Sequence, residues 1–582
     1  MKHAVLAGTV VFLAITIPLM MWEVEEASRT PAATSMWVLT DAMLSIVDWQ
    51  HPPVSRIALA YNSNLDLIVP ASSLLPIHTP IHTQPDDGDD DNTNDNTNTN
   101  TNDNDNNNDN DNDNKTNANV DVDVDADEDC DGPYTTPRQL VQCFRTFAKD
   151  GRGVERQVGD QEMYLKLVRD AEESGMGVHE VGGNAALMAK AVVEAYAARN
   201  PHASLVTLRI QAVAKAILPT SVLDLYAGVW EVVGYGWEGM MRMVRGGAGD
   251  GGVVVLLGGP VGEKLGALLP GSDVVMRASE SSGEESDEVH LIVEYKGGEE
   301  IVGVTPPRAN RFILHADVVN QKMETAQAFH DALPSFAPQR IVLSGFHLLD
   351  GVADLSAATR VVTTVLSSLQ STLAHMAKEE KGPPPPVVHL ELASMANMEF
   401  LSALMQQSLP VADSIGFNEQ ELDGLVRAMG LPLDLPLFGD HPGAHNAPNL
   451  DAVLSALGLL LEAGPHVSRL HFHALAYHTV CTRNNSGWGP PSVPAAAGAV
   501  AVGLRACQIP LPMLAQHVVD PVSAFSLLAN VTSDPTQPIR IDHVGSDVVC
   551  ATAPVLVCNS PSRTVGLGDS ISAVGLLYHD HQ

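Results

Sequence analysis

The segment Arg563-Thr564-Val565-Gly566-Leu567-Gly568-Asp569-Ser570-Ile571-Ser572-Ala573 places two glycines and an acid directly before a run of small residues. Glycine lets the backbone turn tightly and aim its N–H groups at an anion, and the helix predicted after it adds a positive N-terminal end. Asp569 then lies where a phosphoryl group and an accepting hydroxyl meet, as a general base must. Taken alone, the same pattern also fits an ordinary helix N-cap after a glycine turn.

Around this segment, short β-branched runs alternate with longer helical stretches. The predicted strands span residues 57–61, 253–257, 290–295, 341–344, 387–392 and 470–475, and the predicted helices include 185–199, 322–332, 357–377 and 419–429. Such alternation indicates an α/β fold with a mostly parallel sheet covered by helices on both faces. Ligands of such sheets bind at the carboxyl ends of the strands, so the residues found there are candidates for the site.

Amide and acid side chains follow the first predicted strand, in Asn62-Ser63-Asn64-Leu65-Asp66. An Asn-x-Asp pair such as Asn64 and Asp66 can bind adjacent hydroxyls of a sugar. Gly182-Gly183-Asn184 opens a long helix at the same predicted edge of the sheet. We therefore expect Asn64 and Asp66, together with Gly183 and Asn184, to share one ligand site with Asp569.

Two further acids have the placement of a magnesium site. Glu391 ends a predicted strand in His389-Leu390-Glu391, and Glu421 lies in Asn418-Glu419-Gln420-Glu421 at the start of a predicted helix. Mg²⁺ takes one or two protein carboxylates and completes its shell with waters and phosphates, so it is the expected cofactor. An Asn-x-x-Glu sequence is also an ordinary helix start, and this alternative stays open.

Size and charge restrict the class of protein. The chain has 582 residues, 45% of them hydrophobic, enough for several domains or for one large domain with a lid. Its formal net charge of −37 argues against a nucleic-acid partner, because phosphate backbones are bound by Lys and Arg. Eighteen acids and one base, Lys115, fall between Asp86 and Asp131. We interpret residues 77–132 as a disordered Asp/Asn-rich insert, since almost no apolar side chain there can offset the entropy of ordering.

The N-terminus indicates the secretory pathway. Residues 4–22 are almost entirely apolar, which predicts a signal peptide or a signal anchor over residues 1–22 and localisation in the endoplasmic reticulum lumen or outside the cell. An anchor would attach the protein to a membrane. Six cysteines are too few for a disulfide scaffold, but an oxidising lumen allows one or two bridges. Glycosylation sequons, which fit that compartment, begin at Asn114, Asn484 and Asn530.

Nine motifs occur together in one order. They are YNSNLD (61–66), GGNAALMA (182–189), LLGGPVGEKL (256–265), HLIVEY (290–295) with RANRFI (308–313), IVLSGFHLLDG (341–351), HLELAS (389–394), GFNEQE (416–421), RLHFHALAYH (469–478), and VLVC (555–558) with RTVGLGDSISA (563–573). In these motifs the chain resembles the ADP-dependent glucokinases, a branch of the ribokinase-like sugar kinases, from about residue 54 to residue 578. The eukaryotic members are the most similar.

The resemblance implies a ribokinase-like three-layer α/β sandwich with a smaller lid domain. The kinase core then starts at residues 54–76 and continues at 133–582, with lid segments at about 135–180 and 285–315. In this family's terms Asp569 is the catalytic base. The hexose-binding residues are Asn64, Asp66, Glu155, Gly183, Asn184 and His290. The resemblance also implies that Arg311, Gly566 and Gly568 bind phosphate, and that Glu391, Glu421 and Asp569 bind the metal.

Some of these assignments have structural alternatives. His290 begins an apolar strand, where a histidine often belongs to the core. His471 and His473 lie on one side of a predicted strand, so they either line the nucleotide pocket or only pack. The resemblance also puts Cys507 and Cys558 in segments that flank the nucleotide side, where a disulfide would hold the loop before Arg563.

The activity that the resemblance implies is Mg²⁺-dependent phosphorylation of D-glucose by ADP, which yields glucose 6-phosphate and AMP and feeds glycolysis. ADP and D-glucose are the expected partners, and we expect a monomer. One alternative is a related kinase that uses ATP or acts on fructose 6-phosphate. Another is a luminal protein that binds a sugar or a nucleotide without catalysis.

Overall fold

The computed structural model describes residues 31–49, 52–54, 56–62, 64–78, 130, 133–197, 231–234, 254–257, 289–317, 319–350, 352, 354–378, 384–393, 395, 397–439, 447–561 and 565–582. The predicted signal segment, almost all of the Asp/Asn-rich insert and the LLGGPVGEKL motif beyond Leu257 lie outside these residues. None of the described helices is both long enough and apolar enough to cross a membrane.

Ten of the described strands form one large sheet. In spatial order they are Arg540–Val544, Val548–Pro554, Tyr477–Arg483, Arg469–His473, Ser414–Asn418, Val387–Glu391, Arg340–Leu343, Arg56–Ala60, Val254–Leu257 and Glu231–Gly234. Neighbouring strands are parallel from Glu231–Gly234 to Arg469–His473 and antiparallel beyond it. Five of the six predicted strands lie in this sheet, and the strand predicted at residues 290–295 lies in a second, smaller one. The predicted mostly parallel sheet is confirmed.

Helices cover both faces of this sheet, which makes it the middle of three layers. Because alternate side chains of a strand point to opposite faces, Ala58 joins one buried apolar cluster and Ile57 another. The first cluster includes side chains of the helices Ala326–Phe336, Leu355–Met376, Met398–Ser408, Glu419–Ala428 and Leu450–Ala463. The second includes those of Asn184–Ala197, Ser492–Cys507 and Leu567–Leu577, and Pro31–Ile46 packs beside it. The predicted three-layer α/β sandwich is confirmed.

Five strands form a separate small sheet. Their order is Val154–Gln157, Asn310–His315, Val289–Tyr295, Asn64–Pro70 and Val178–Gly182. The helices Ala71–His78, Pro137–Lys149 and Gln161–Glu173 share its apolar core, which includes the buried side chains of Leu67, Phe144 and Phe312. Most elements of this small sheet and its helices fall within residues 135–180 and 285–315, the ranges predicted for the lid.

The strand Asn64–Pro70 differs from the sequence interpretation, which placed Asn64 and Asp66 at the carboxyl end of the first strand. That strand ends at Ala60, and the chain then enters the small sheet. Leu67 and Val69 provide the physical reason, because both are fully buried in the small sheet's core. Residues 64–70 therefore belong to the small sheet and not to the large one.

All six cysteines form disulfides, in the pairs Cys130–Cys143, Cys481–Cys550 and Cys507–Cys558. The pair Cys507–Cys558 confirms the hypothesis drawn from the family resemblance. The three disulfides exceed the one or two that the sequence analysis expected. Cys481–Cys550 was not expected, because it joins two neighbouring antiparallel strands whose pairing is visible only in the folded sheet.

We expect Phe472→Ala to destabilise the protein by about 3–5 kcal/mol, because it removes a fully buried ring from the centre of the large sheet. The ring centroid of Phe472 lies 6.4 Å from that of Phe417 on the neighbouring strand. Urea unfolding followed by circular dichroism measures the change. Leu475→Ala is the control, since Leu475 is 43% exposed and should cost less than about 0.5 kcal/mol. Equal costs for the two variants would contradict this packing.

Candidate active site

A cleft lies between the carboxyl edge of the parallel strands and the small sheet. Eleven of the twelve predicted site residues line it, namely Asp66, Glu155, Gly183, Asn184, His290, Arg311, Glu391, Glu421, Gly566, Gly568 and Asp569. The twelfth, Asn64, is fully buried and donates a hydrogen bond to Asp66. The structure thus brings the predicted hexose, phosphate and metal residues into one cleft.

Asp569 lies in the first turn of the helix Leu567–Leu577. The preceding Gly566 has a φ of +68°, a conformation that favours glycine. The Oδ1 atom of Asp569 accepts a 2.7 Å hydrogen bond from Asn184 Nδ2. Burial raises the pKa of Asp569 to about 6, and the hydrogen bond from Asn184 limits this rise. Such a carboxyl is mostly ionised at neutral pH and can still accept a proton, as a general base must.

Asn184 is itself held by the end of a strand. Its Oδ1 accepts a 3.2 Å hydrogen bond from Asn62 Nδ2, and the Asn62 carbonyl accepts a 3.1 Å bond from the Ala185 N–H. Asn62 follows the first strand of the large sheet, so the sheet edge fixes Asn184 and through it the carboxylate of Asp569. Asn62 was not predicted as a site residue, although it lies in the YNSNLD motif.

The predicted hexose pair lies on the strand Asn64–Pro70 of the small sheet, beside the antiparallel strand Val178–Gly182. Asn64 Nδ2 donates a 2.7 Å hydrogen bond to Asp66 Oδ1. Gly182 lies opposite Asn64 in the antiparallel partner strand, and a Cβ there would overlap the Asp66 carboxylate. Burial raises the pKa of Asp66 to about 7, although nearby His290 and the bond from Asn64 lower it.

Glu155 lies between two histidines. Its Oε1 is 3.3 Å from His290 Nδ1, and its Oε2 is 3.3 Å from His347 Nε2. The other ring nitrogen of His290, Nε2, is 2.8 Å from Asp317 Oδ2. His290 therefore belongs to a chain of charged groups and is not simply a core histidine. His347 and Asp317 were missed by the sequence analysis, although His347 lies in the quoted motif IVLSGFHLLDG.

The carboxylate of Glu391 is already hydrogen-bonded within the protein. It accepts bonds from His389 Nε2 at 2.9 Å, from Ser572 Oγ at 2.8 Å and from His473 Nε2 at 3.3 Å. Burial alone would raise the pKa of Glu391, but the bonds from His389 and His473 outweigh it and lower that pKa to about 2. Glu391 therefore stays anionic at the floor of the cleft.

Glu421 forms a capping box at the start of the helix Glu419–Ala428. It accepts bonds from the backbone N–H and the side chain of Asn418, so the helix-start alternative is confirmed. Burial raises the pKa of Glu421 to about 7, helped by the neighbouring Glu391 and Glu419 and opposed by His473 and the bond from the Asn418 N–H. A cation would relieve this crowding of acids, so the donor set fits a divalent cation that takes its remaining ligands from phosphates and water.

His471 and His473, for which the sequence allowed either a role in the nucleotide pocket or simple packing, have different positions. His473 lines the cleft, and its ring lies next to Gly568. His471 is fully buried and packs against Gly575. Alternation along the strand Arg469–His473 thus puts both on the same face, but only the residue at the strand's end reaches the cleft.

We expect Asp66→Asn to stabilise the unliganded protein at pH 8 while it weakens the site. The folded pKa of about 7 lies above the usual 3.8, so the ionised carboxylate opposes folding by at most about 4 kcal/mol above pH 7. This cost fades as the pH falls, because below pH 3.8 the folded and unfolded states are both protonated. Urea unfolding at pH 8 and pH 4.5 measures the difference.

Asp547→Asn is the matched control, because Asp547 is 57% exposed and pairs with Arg483 away from the cleft. We expect this variant to change the free energy of unfolding by less than about 0.5 kcal/mol at either pH. An Asp66→Asn variant that is less stable than the wild type at pH 8 would contradict the assigned cost of burial.

Comparison with known proteins connects this geometry to a family. The bovine (Bos taurus) ADP-dependent glucokinase is 35% identical over 345 residues, which cover 56% of this chain and 64% of that protein. A protein of Caenorhabditis elegans named "Probable ADP-dependent glucokinase" is 27% identical over 463 residues, or 76% of this chain and 77% of its own. The matched region thus spans slightly less than two thirds of the bovine relative.

A solved structure shows the same fold. It is the last common ancestor of ADP-dependent phosphofructokinases from Methanosarcinales, with a TM-score of 0.52 and 15% identity over 94% of this chain and 98% of its own. The family model described as "ADP-specific Phosphofructokinase/Glucokinase conserved region" matches residues 114–222 and 246–578. The chain therefore belongs to the ADP-specific phosphofructokinase/glucokinase family.

Proposed function

We propose that this protein is an ADP-dependent glucokinase, which transfers the β-phosphate of ADP to the 6-hydroxyl of D-glucose and releases AMP. The observation that carries the proposal is that the buried carboxylate of Asp569 lines the same cleft as the small-sheet acids Asp66 and Glu155. The family and the named relatives support ADP as the donor and glucose as the acceptor.

The residues of the cleft divide the chemistry between them. Asp569 accepts the proton of the 6-hydroxyl as that oxygen attacks the β-phosphorus of ADP. Backbone N–H groups at the start of the helix Leu567–Leu577 and the guanidinium of Arg311 stabilise negative charge on the phosphoryl oxygens. Movement of the small sheet toward the large one would exclude water and so limit hydrolysis of ADP.

The charges in the cleft favour an unphosphorylated sugar. A sugar phosphate is usually bound by Lys or Arg, because its phosphate needs positive partners. Among the described residues that line the cleft, Arg311 is the only Lys or Arg, and the phosphoryl group in transfer already requires it. Asp66 and Glu155 instead provide acceptors for sugar hydroxyls. This arrangement supports glucose over fructose 6-phosphate as the acceptor.

We further propose that Mg²⁺ is the cofactor. Glu391 and Glu421 would hold it, with Asp569 nearby and with most of its ligands from phosphates and water. When bound, the ion would neutralise charge on the nucleotide phosphates.

We also propose a location in the endoplasmic reticulum lumen or outside the cell. Three disulfides support an oxidising compartment. Asn484 and Asn530, the acceptor residues of two glycosylation sequons, are exposed to solvent. Membrane attachment depends on the apolar run at residues 1–22, since the described helices offer no support for it. A monomeric state stays a prediction that light scattering after size-exclusion chromatography would test.

A coupled glucose 6-phosphate assay with ADP, ATP or GDP as donor tests the function directly. We expect ADP and glucose to give the highest kcat/KM, and fructose 6-phosphate to be a poor acceptor because the sugar end of the cleft is acidic. AMP should form in a one-to-one ratio with glucose 6-phosphate. Glucose phosphorylation that proceeds with ATP but not with ADP would contradict the proposal.

We expect Asp569→Asn to lower kcat by about 10²–10⁴-fold, because the amide cannot accept the hydroxyl proton. The variant should fold normally, since Asn184 can still donate to the amide oxygen. Steady-state kinetics and thermal unfolding measure both effects. Asp354→Asn, at the exposed N-cap of another helix, serves as the control and should retain wild-type turnover. Near-wild-type kcat in Asp569→Asn would remove the assigned base.

A further inference from the structure

Four side chains of alternating charge form a continuous chain beside the sugar end of the cleft. In order they are His347, Glu155, His290 and Asp317, joined by contacts of 3.3 Å, 3.3 Å and 2.8 Å. The side chains of His347, His290 and Asp317 are 3%, 4% and 1% exposed, and that of Glu155 is 14% exposed. Glu155 is thus the member of the chain that is most accessible to a ligand.

The chain connects the two sheets. Glu155 and His290 lie on strands of the small sheet, and Asp317 follows its strand Asn310–His315. His347 lies in the short 3₁₀ helix Phe346–Leu349, directly after a strand of the large sheet. The contact between His347 and Glu155 therefore crosses the cleft and holds a carboxylate of the small sheet against the edge of the large one.

Burial makes each member depend on its neighbours. A buried charge without a partner is costly, so the removal of one member leaves the next uncompensated. Burial alone would lower the pKa of His290, but Asp317 and Glu155 raise it well above its usual value. Burial alone would raise the pKa of Glu155, but His347 and His290 lower it well below its usual value. Asp317 is also held in place by a 3.1 Å bond from Asn320 Nδ2.

We propose that Asp317 and His347 are positioning residues for the hexose, which fix His290 and Glu155 from the two ends of this chain. The proposal rests on the proposed function and adds two residues to it. Each oxygen of Glu155 contacts one histidine and keeps a further lone pair for a sugar hydroxyl. A carboxylate that is already fixed in one orientation loses less conformational entropy when the sugar binds.

The variants Asp317→Ala and His347→Ala test this role, with Asp317→Asn and His347→Gln as conservative counterparts. We expect the alanine variants to raise the KM for glucose about tenfold or more, because a charged hydrogen bond in the chain is lost. The KM for ADP should stay within about twofold. Asn keeps the shape of Asp and an oxygen that accepts from His290, and Gln keeps an N–H donor within reach of Glu155, so both should restore part of the glucose affinity.

The surface pair His517 and Asp41 supplies matched controls, since its members are 55% and 50% exposed and 3.0 Å apart. Asp41→Asn and His517→Gln should leave both KM values unchanged. If glucose and ADP KM values rise by the same factor, or if glucose KM does not change in the Asn, Gln and alanine variants, the positioning role is wrong.

Glucose-induced thermal stabilisation separates this proposal from the proposed function. The wild type should show a glucose-dependent rise in melting temperature, and the Asp317 and His347 variants should need about tenfold more glucose for the same rise. If glucose stabilises the wild type but ADP does not phosphorylate it, only the proposed kinase activity is overturned. The glucose response of the variants would still test the positioning role. A full glucose response in the variants would overturn the positioning role alone.

Discussion

The hydrogen bond from Asn184 to Asp569 is the constraint on which the rest of the site depends. It joins the first residue of the helix Asn184–Ala197 to the first turn of Leu567–Leu577. These helices can bring their N-termini so close because small side chains, such as Ala189 and Ala573, lie in their shared apolar cluster. Larger side chains there would separate the helices, and the carboxylate would lose its partner.

The acids of the cleft are all largely buried, yet their pKa values differ in direction. Burial raises the pKa values of Asp66 and Asp569, because their hydrogen bonds come from amides and, at Asp66, the nearby His290 offsets only part of the remaining cost. Histidine partners lower the pKa values of Glu155 and Glu391 instead. The partner of each carboxylate therefore decides whether it resembles a base that can take a proton or a permanent anion. The raised pKa values of Asp66 and Asp569 reduce stability at neutral pH, and functional sites commonly carry that cost.

Much of the fold follows from local patterns. Alternating β-branched and helical runs predicted the parallel strands, because those strands are buried on both faces and read as short apolar stretches. Glycines beside Asp569 predicted the turn before its helix, where Gly566 has a positive φ, since backbone torsion is a local property. The strand Asn64–Pro70 was misplaced, because membership of a second sheet depends on partners that are distant in sequence, such as Val178–Gly182 and Val289–Tyr295.

The sequence by itself determined the kinds of residues present: an acid after a glycine turn, an Asn-Asp pair, and acids at strand ends. Only the tertiary structure decided which partner each of them has. It placed His347 and Asp317 at the ends of the chain through Glu155, and it showed that Glu421 caps a helix. The physical reason is that torsions and apolar periodicity are encoded within a few residues. Burial and charge pairing, in contrast, arise between segments that meet only when the two sheets come together.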